Sequence, residues 1–234
     1  MPVETMLDEI LVSSAMGNSD LEDFSSAFTD VAVLFGWNSD ELLEEYEKNR
    51  EFTAVHKVLL GIDDSHGSLR DFLAGLAAAE TLSGLIDCAD SRHRSPLAWA
   101  VEFGWTDATE TLIEFGANVH QLIPSKYGPS PLLHLAIAGP DPIQSKTQIL
   151  GVVRILLQAG VDINATDHEL WTAMHIAASW NLKNAVMELV QFGGDTQAVT
   201  GDGESAFDLA IKAGADSVLV DLLRNIRSEQ RIVT

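Results

Sequence analysis

The stretch VVRILLQAGVDINATDHELWTAMHIAA, residues 152–178, decides the fold because it holds three structural signals in order. Val152 and Leu156 lie one helical turn apart in an apolar pattern that places them on the same face of a helix. Gly160 follows where this helix must end, since glycine takes a positive φ without a Cβ clash. A polar loop then leads to Thr172, which opens a second helix. The stretch therefore predicts a helix, a tight stop, a polar loop and another helix.

The same pattern recurs farther along the chain. Gly193 follows Gly160 by 33 positions, and Ser205 follows Thr172 by 33 positions. Self-similarity at one fixed period is typical of stacked repeats and not of a single globular core. These residues resemble ankyrin repeats, whose pattern is D-x-x-G-x-T-P-L-H-x-A-A followed by V-V-x-x-L-L-x-x-G-A-D. The resemblance implies an all-α ankyrin-repeat solenoid built of helix-turn-helix repeats.

Pattern and composition divide the chain into three parts. Residues 51–225 form the predicted ankyrin-repeat domain, between an acidic helical segment over residues 1–50 and a frayed tail over residues 226–234. Within the domain we place a degenerate first repeat and four further repeats, over residues 51–89, 90–121, 122–164, 165–198 and 199–225. The run FTAVHKVLLG at residues 52–61, with IDCADSRHRSPLAWAVEFG at residues 86–104, resembles ankyrin-containing proteins of fungi.

Residues 1–50 have helical apolar stripes but no repeat pattern. Leu21, Phe24 and Phe28 share one predicted helical face, and a later helix carries Tyr46. One interpretation is an N-terminal helical cap that shields the open end of the stack. The others are a separate acidic docking segment for another protein and partial disorder.

The net charge of −21 restricts the partners of the chain. Residues 1–50 hold twelve acidic and two basic residues, so this segment alone contributes −10. Nucleic acid and anionic membranes require local cationic patches and are therefore disfavoured. A basic partner would be favoured by electrostatic steering, although solubility alone also explains the charge. As an alternative function we therefore consider an acidic decoy or chaperone-like binder of basic proteins, acting through residues 1–50.

The repeat over residues 122–164 is longer than its neighbours. Its extra residues fall in the loop around Ile123–Tyr127 and between its helices at residues 139–146, where Pro140 and Pro142 prevent helix continuation. Insertions in a repeat protein fall in loops and often carry recognition. Tolerated sequence drift explains this insertion equally well.

Cysteine content and hydropathy point to an intracellular protein, cytoplasmic or nuclear. The single cysteine, Cys88, permits no disulfide framework within one chain and suits a reducing compartment. The N-terminus has no basic region of the kind that opens a secretory signal. The longest apolar runs are far shorter than the roughly 20 residues of a membrane span. We expect a monomer with no membrane contact.

The sequence contains no recognisable catalytic, cofactor or metal motif. G-x-S-x-G, phosphate-loop, H-E-x-x-H and paired C-x-x-C patterns do not occur. His56, His134 and His175 occupy the histidine of the T-P-L-H pattern, where the resemblance implies an imidazole that braces the backbone of the turn. Each belongs to a different repeat, so convergence on one metal ion is not expected. We predict no enzymatic activity, no cofactor and no metal.

The resemblance implies a protein-binding surface on the concave face and loop tips of the stack. In ankyrin repeats these contacts come from the loop tips before T-P-L-H and from the residues after the paired alanines. Carried onto this chain, the positions are Arg92, Arg94, Glu102, Phe103, Tyr127, His168, Glu169, Trp171, Ser179, Trp180, Asp202 and Glu204. Exposed aromatic residues are typical interface anchors, but Phe103, Trp171 and Trp180 could equally pack between helices. We predict a non-catalytic protein–protein interaction module that binds another protein and not nucleic acid.

Overall fold

The structure, a computed structural model, describes residues 39–63, 65–125, 128–139 and 146–230. It gives the backbone alone at residues 39–42, 45, 125, 146–148 and 227–230. The chain divides into two compact units, Met1–Asn118 and Val119–Thr234, called here the first unit and the second unit. The described residues are mostly helical, and none of their helices has the length and apolarity to cross a membrane.

Some expectations fall outside the described residues. These are the apolar stripes before residue 39, most of the insertion at residues 139–146, the position of Tyr127 and the last four residues. The proposed repeat boundaries also stay predictions.

The first unit contains five α-helices and one 3₁₀ turn within its described part. The helices are α1 (Ser39–Arg50), α2 (Ala54–Leu59), α3 (Leu69–Ala78), α4 (Pro96–Glu102) and α5 (Thr106–Glu114), and the 3₁₀ turn is Leu82–Gly84. Thr53, Ser68 and Ser95 precede α2, α3 and α4, and each side chain accepts a hydrogen bond from the backbone N–H three residues later. These caps satisfy backbone donors that a helix start leaves unpaired, which explains why the helices begin there.

The helices of the first unit pack as two rows. α2 lies beside α4 in one row, and α3 lies beside α5 in the other. The consecutive helices α2 and α3 form one pair, and α4 and α5 form the next. Leu59, Leu73, Leu97 and Leu112 come from these four helices and are fully buried between them. Tyr46 on α1 is also buried. The apolar face of each helix pair is therefore covered by the next pair, as a repeat fold requires.

The second unit contains six α-helices and a two-stranded antiparallel sheet within its described part. The strands are β1 (Leu122–Ser125) and β2 (Gly128–Pro131), and the helices are α6 (Leu132–Ile137), α7 (Lys146–Gln158), α8 (Ala173–Ser179), α9 (Lys183–Gln191), α10 (Ala206–Lys212) and α11 (Ser217–Gln230). α11 continues five residues past Asn225, where we placed the end of the last repeat.

The β-hairpin was not expected from the sequence, which we interpreted as a loop. β1 pairs with β2 in a register that sets Leu122 opposite Pro131 and Ser125 opposite Gly128. Ile123 is buried, whereas the residues on either side of it are exposed, so the strand alternates as a half-buried strand must. The extra residues of this repeat thus extend a hairpin, and the surrounding fold remains helical as predicted.

The second unit also packs in rows. α6, α8 and α10 lie side by side, and α9 lies beside α7. Leu133, Val152, Leu156 and Leu189 are buried on these helices. Gly160 has a φ of +83° at the end of α7, so the predicted glycine stop is confirmed. Helices that end in this way are short enough to repeat within a 33-residue period.

Candidate partner-binding surface

Helix α8 begins at a reciprocal hydrogen-bonded cap that fixes the loop before it. The Thr172 hydroxyl accepts a hydrogen bond from the backbone N–H of His175, and the backbone N–H of Thr172 donates to Nδ1 of His175 at 3.0 Å. Because Nδ1 accepts, the ring carries its proton on Nε2. Nε2 then donates to the carbonyl oxygen of Ala198 at 2.9 Å. His175 therefore joins the start of α8 to the following inter-repeat loop.

The same ring-to-carbonyl contact recurs at the other two histidines of the T-P-L-H pattern. Nε2 of His134 lies 3.1 Å from the carbonyl oxygen of Ala165, and Nε2 of His56 lies 2.9 Å from that of Arg94. The expectation that these imidazoles brace backbone turns is confirmed. Burial lowers the pKa of His56, His134 and His175, partly opposed in each by the backbone hydrogen bond. The three rings are thus held in the neutral form that this bonding needs.

His134 lacks the cap that the other two histidines have. Its repeat places Pro131 where the others have a threonine, and proline has neither a hydroxyl nor a backbone N–H. Nδ1 of His134 is consequently buried without a hydrogen-bond partner among the described residues. The departure of this repeat from the family pattern therefore has a direct structural consequence.

The loop tip before α8 is held by its own side chain and by the next tip. Oδ1 of Asp167 accepts hydrogen bonds from the backbone N–H groups of Glu169 (3.0 Å) and Trp171 (2.9 Å). Leu170 occupies the glycine position of the pattern and has a φ of +61°, an uncommon conformation for a branched side chain. The backbone N–H of Gly201 donates to the carbonyl oxygen of Glu169 at 2.8 Å, which ties adjacent tips together.

In the second unit, most of the predicted binding residues reach the surface. His168, Glu169 and Asp202 are exposed at the two tips. Trp180, at the end of α8, is 42% exposed, and Trp171 is half-buried with its ring edge-on to His175 at 6.2 Å. Ser179 is half-buried and donates from its hydroxyl to the carbonyl oxygen of Ile176, while the half-buried Glu204 pairs with Lys212 at 3.1 Å.

In the first unit, the predicted contact residues range from exposed to buried. Phe103 is only 7% exposed and stacks between Trp99 and Trp105, with ring centroids 5.3 and 5.0 Å away. The prediction of Phe103 as a contact residue is therefore corrected, because the side chain after α4 turns into an aromatic stack. Arg94 and Glu102 form an ion pair with each other, and the neighbouring Arg92 is exposed.

A buried ion pair near this stack was missed by sequence reasoning. Oδ2 of Asp90 accepts from Arg50 Nη2 at 2.6 Å and from Trp99 Nε1 at 3.0 Å, and Oδ1 accepts from the backbone N–H groups of Arg92 and Arg94. The Arg50 guanidinium lies 5.0 Å from the Trp99 ring centroid. Asp90 occupies the first position of the D-x-x-G-x-T-P pattern, a signal that could have indicated a structural role. This pair fastens the end of α1 to the loop before α4.

The second unit also exposes apolar side chains that the sequence analysis did not single out. Their exposed fractions lie between 40% and 59%, and they are Leu122, Leu170, Met187, Phe192, Val199, Ile211 and Val218. No group of three or more His, Cys, Asp or Glu side chains within the described ranges could hold a metal ion. The described surface of the second unit is thus suited to contact with another macromolecule.

Comparison with known proteins gives a family match over most of the chain. A family model described as ankyrin repeats matches residues 72–167 and 143–231. Protein phosphatase 1 regulatory subunit 12A of Rattus norvegicus is 33% identical over 82 residues, which are 35% of this chain and 8% of that protein.

Ankyrin repeat domain-containing protein 63 gives a longer alignment. The Mus musculus protein is 34% identical over 103 residues, which are 44% of this chain and 25% of that protein, and the Homo sapiens protein is 34% identical over 103 residues and 26% of its length. The matched segment is therefore a small part of each relative. The predicted likeness to fungal proteins stays a prediction.

Proposed function

Because this chain belongs to the ankyrin-repeat family, we propose that it is a non-catalytic protein-binding module whose contact surface lies in the second unit. Ankyrin repeats imply a protein-interaction module, and such families are typically non-enzymatic. The proposed surface consists of the tips and helix ends that carry His168, Glu169, Trp171, Trp180 and Asp202. We call it the tip surface.

The main support is a pair of tryptophans at the two ends of α8, of which one is exposed and the other adjoins a restrained tip. Trp180 exposes 42% of its area at one end of α8, and Trp171 stands half-buried at the other end. Tryptophan is enriched among residues that dominate binding energy, since it buries a large area at little entropic cost. The two rings give the tip surface aromatic contacts of the kind that anchor interfaces.

The hydrogen bonds of the tips also support the proposal, because they reduce the conformational entropy that the tips lose on binding. Gly201 and Glu169 join two tips through their backbones, and the backbone N–H of Asp195 donates to Oδ1 of Asn164 at 2.8 Å in the loops below them. A surface ordered before binding loses little conformational freedom when the partner arrives. Rigid tips with varied side chains therefore suit recognition more than catalysis.

Trp171→Ala combined with Trp180→Ala tests this placement. The partner is first identified by affinity capture from source cells, and its dissociation constant is then measured by isothermal titration calorimetry. We expect the double variant to weaken binding by about 30-fold or more, the size of a hot-spot loss of 2 kcal/mol or more.

Phe192→Ala is the matched control, because Phe192 is 40% exposed but follows α9, away from the tips. This variant is expected to bind as the native chain does. Equal affinity of the native chain and the double tryptophan variant would refute the tip surface as the contact site.

The acidic N-terminal segment remains a separate candidate for binding basic proteins. Within its described part, Tyr46 and Arg50 of α1 are buried and Glu47 pairs with Lys57 at 2.5 Å, which supports the cap interpretation for this helix. We also propose that the chain acts inside the cell as a monomer and binds neither nucleic acid nor membrane. The net charge of −21 and the free thiol of Cys88 support this part of the proposal.

A further inference from the structure

The tips before α8 and α10, together with these two helices, carry charge of one sign. Residues 161–180 and 195–211 include seven acidic residues and neither lysine nor arginine. The acidic residues are Asp162, Asp167, Glu169, Asp195, Asp202, Glu204 and Asp208. Their availability to a partner depends on the bonds that each carboxylate already makes within the fold.

Five of these seven carboxylates are already engaged. Three of them accept a hydrogen bond from the backbone N–H group two residues later, and they are Asp162, Asp167 and Asp195. Asp208 accepts from the backbone N–H and the hydroxyl of Ser205 at the start of α10, and Glu204 pairs with Lys212 at 3.1 Å. The main role of these five side chains is therefore in the fold.

Glu169 and Asp202 are the two residues whose carboxylates remain for a partner. Both residues are exposed. Among the residues that the structure describes, only the His168 ring lies within ion-pair distance of the Glu169 carboxylate, at 4.0 Å, and Asp202 has no ion pair. The carbonyl oxygen of Glu169 accepts from the backbone N–H of Gly201, the residue before Asp202. The backbone thus holds these two carboxylates on neighbouring tips.

Apolar side chains lie beside these carboxylates in both tips. Leu170, next to Glu169, is 50% exposed, and Val199 of the following tip is 49% exposed. Exposed apolar area beside an anion suits a partner side chain that has an apolar stem and a cationic head. Arginine fits this description best, because its guanidinium pairs with a carboxylate through two hydrogen bonds and also stacks on an indole such as that of Trp171.

From the two carboxylates and the apolar side chains beside them, we propose that the tip surface binds a basic, arginine-rich segment of its partner protein. The cations of that segment pair with Glu169 and Asp202, and their apolar stems pack against Leu170, Val199 and Trp171. This inference rests on the proposed function, because it names the class of partner that the tip surface takes. An acidic segment is rejected at the same surface by like-charge repulsion.

Selection from a random peptide library on the full chain tests this class of partner. We expect the selected peptides to be enriched in arginine and to bind less tightly as salt is added, because exposed ion pairs are screened. Fluorescence polarisation then gives their dissociation constants. Glu169→Gln combined with Asp202→Asn should weaken binding by about fivefold or more, since each substitution removes one ion pair with the peptide.

Asp107→Asn combined with Glu110→Gln is the matched control. Both residues are exposed on α5 of the first unit, and this pair of substitutions changes the net charge of the chain by the same amount as the tip pair does. The control should alter the dissociation constant by less than about twofold, because it leaves the tips unchanged. Equal effects of the two pairs would contradict the proposal, since the total charge and not the tip carboxylates would then attract the peptides.

Trp171→Ala combined with Trp180→Ala separates this inference from the proposed function. Selected peptides that lack arginine and lysine, yet lose affinity for the tryptophan variant, would overturn the basic partner and leave the tip surface as the contact site. Peptides that bind the native chain and the folded tryptophan variant equally would refute both. A selection that yields no binding peptide would overturn the arginine-rich segment alone.

Discussion

At the scale of single residues, the fold depends on polar side chains that hydrogen-bond the backbone between helices. Thr172 and His175 form one such capping pair, and the side chain of each accepts a hydrogen bond from the backbone N–H group of the other. Because both side chains are buried, loss of either leaves an unpaired polar group away from water. These residues therefore contribute to stability well beyond their size.

Thr172→Val removes the capping hydroxyl and keeps the side-chain volume nearly constant. We expect it to lower the free energy of unfolding by about 1–2 kcal/mol, the usual cost of losing a helix cap. Urea denaturation followed by circular dichroism measures the change. Thr166→Val is the control, because Thr166 is exposed at the other end of the same tip and should cost little. Equal costs for the two variants would contradict the role of the cap.

The buried histidines predict a dependence of stability on pH. In the folded chain burial lowers the pKa of His56, His134 and His175 below the ordinary value of about 6.5, so the unfolded chain takes up protons first as the pH falls. Their stabilising contribution is complete above about pH 6.5 and is lost as the pH falls towards the folded-state pKa. The free energy of unfolding should therefore decrease as the pH is lowered from about 7.5 to 5.5.

His175→Gln should reduce the slope of that decrease, whereas His168→Gln, at an exposed tip position, should leave the slope as it is. A slope that is the same in the native chain and in the His175 variant would argue against this assignment.

Asp90→Ala should strongly destabilise the first unit. It would leave Arg50 buried without its carboxylate and remove four hydrogen bonds, at a cost of about 3–5 kcal/mol. Glu114→Ala is the control, because its pair with Arg70 is about half exposed and should cost under about 1 kcal/mol. Chemical denaturation of the two variants measures both values. A loss at Asp90 as small as that at Glu114 would mean that the buried pair contributes little.

At the scale of elements, helix positions were predictable where the sequence has a capping residue at the start of a helix or a glycine at its end. Ser95 and Pro96 indicate the start of α4, and Gly160 indicates the end of α7. The hairpin of β1 and β2 could not be predicted in the same way, because Leu122–Ser125 is too short for alternation to stand out from a loop. The inward turn of Phe103 was also hidden, since a residue just past a helix end has no fixed face.

Leu156→Ala tests the packing between helix pairs. Leu156 is fully buried on α7, where α9 lies beside it, so the cavity should cost about 2–5 kcal/mol of unfolding free energy. Met187→Ala on α9 is the control, because Met187 is 41% exposed and should cost much less. Thermal unfolding of both variants gives the comparison. A loss under about 0.5 kcal/mol at Leu156 would mean that this position does not support the repeat.

At the scale of the whole molecule, the family was predictable because repetition is a property of the sequence itself. The positions of the tips in the second unit followed from the family pattern, but their exposure depended on packing that only the structure describes. Phe103 and Trp180 each come directly after the first helix of a repeat, yet Phe103 is buried and Trp180 is 42% exposed. Burial of such residues depends on neighbouring repeats and not on local spacing.

The distribution of charge adds a further property of the whole chain. Of the net charge of −21, the first fifty residues contribute −10 and residues 199–230 contribute only −3. The first fifty residues therefore carry nearly half of the net charge, and residues 199–230 carry a much smaller share.

The central claim, that the chain binds a partner protein through the tip surface, is tested most directly by hydrogen–deuterium exchange of the captured complex. Amides that become buried beneath a partner exchange more slowly, so protection locates the contact without any substitution. The account predicts slower exchange at residues 166–181 and 199–205 when the partner is bound. Protection confined to other segments, with these two unchanged, would contradict it.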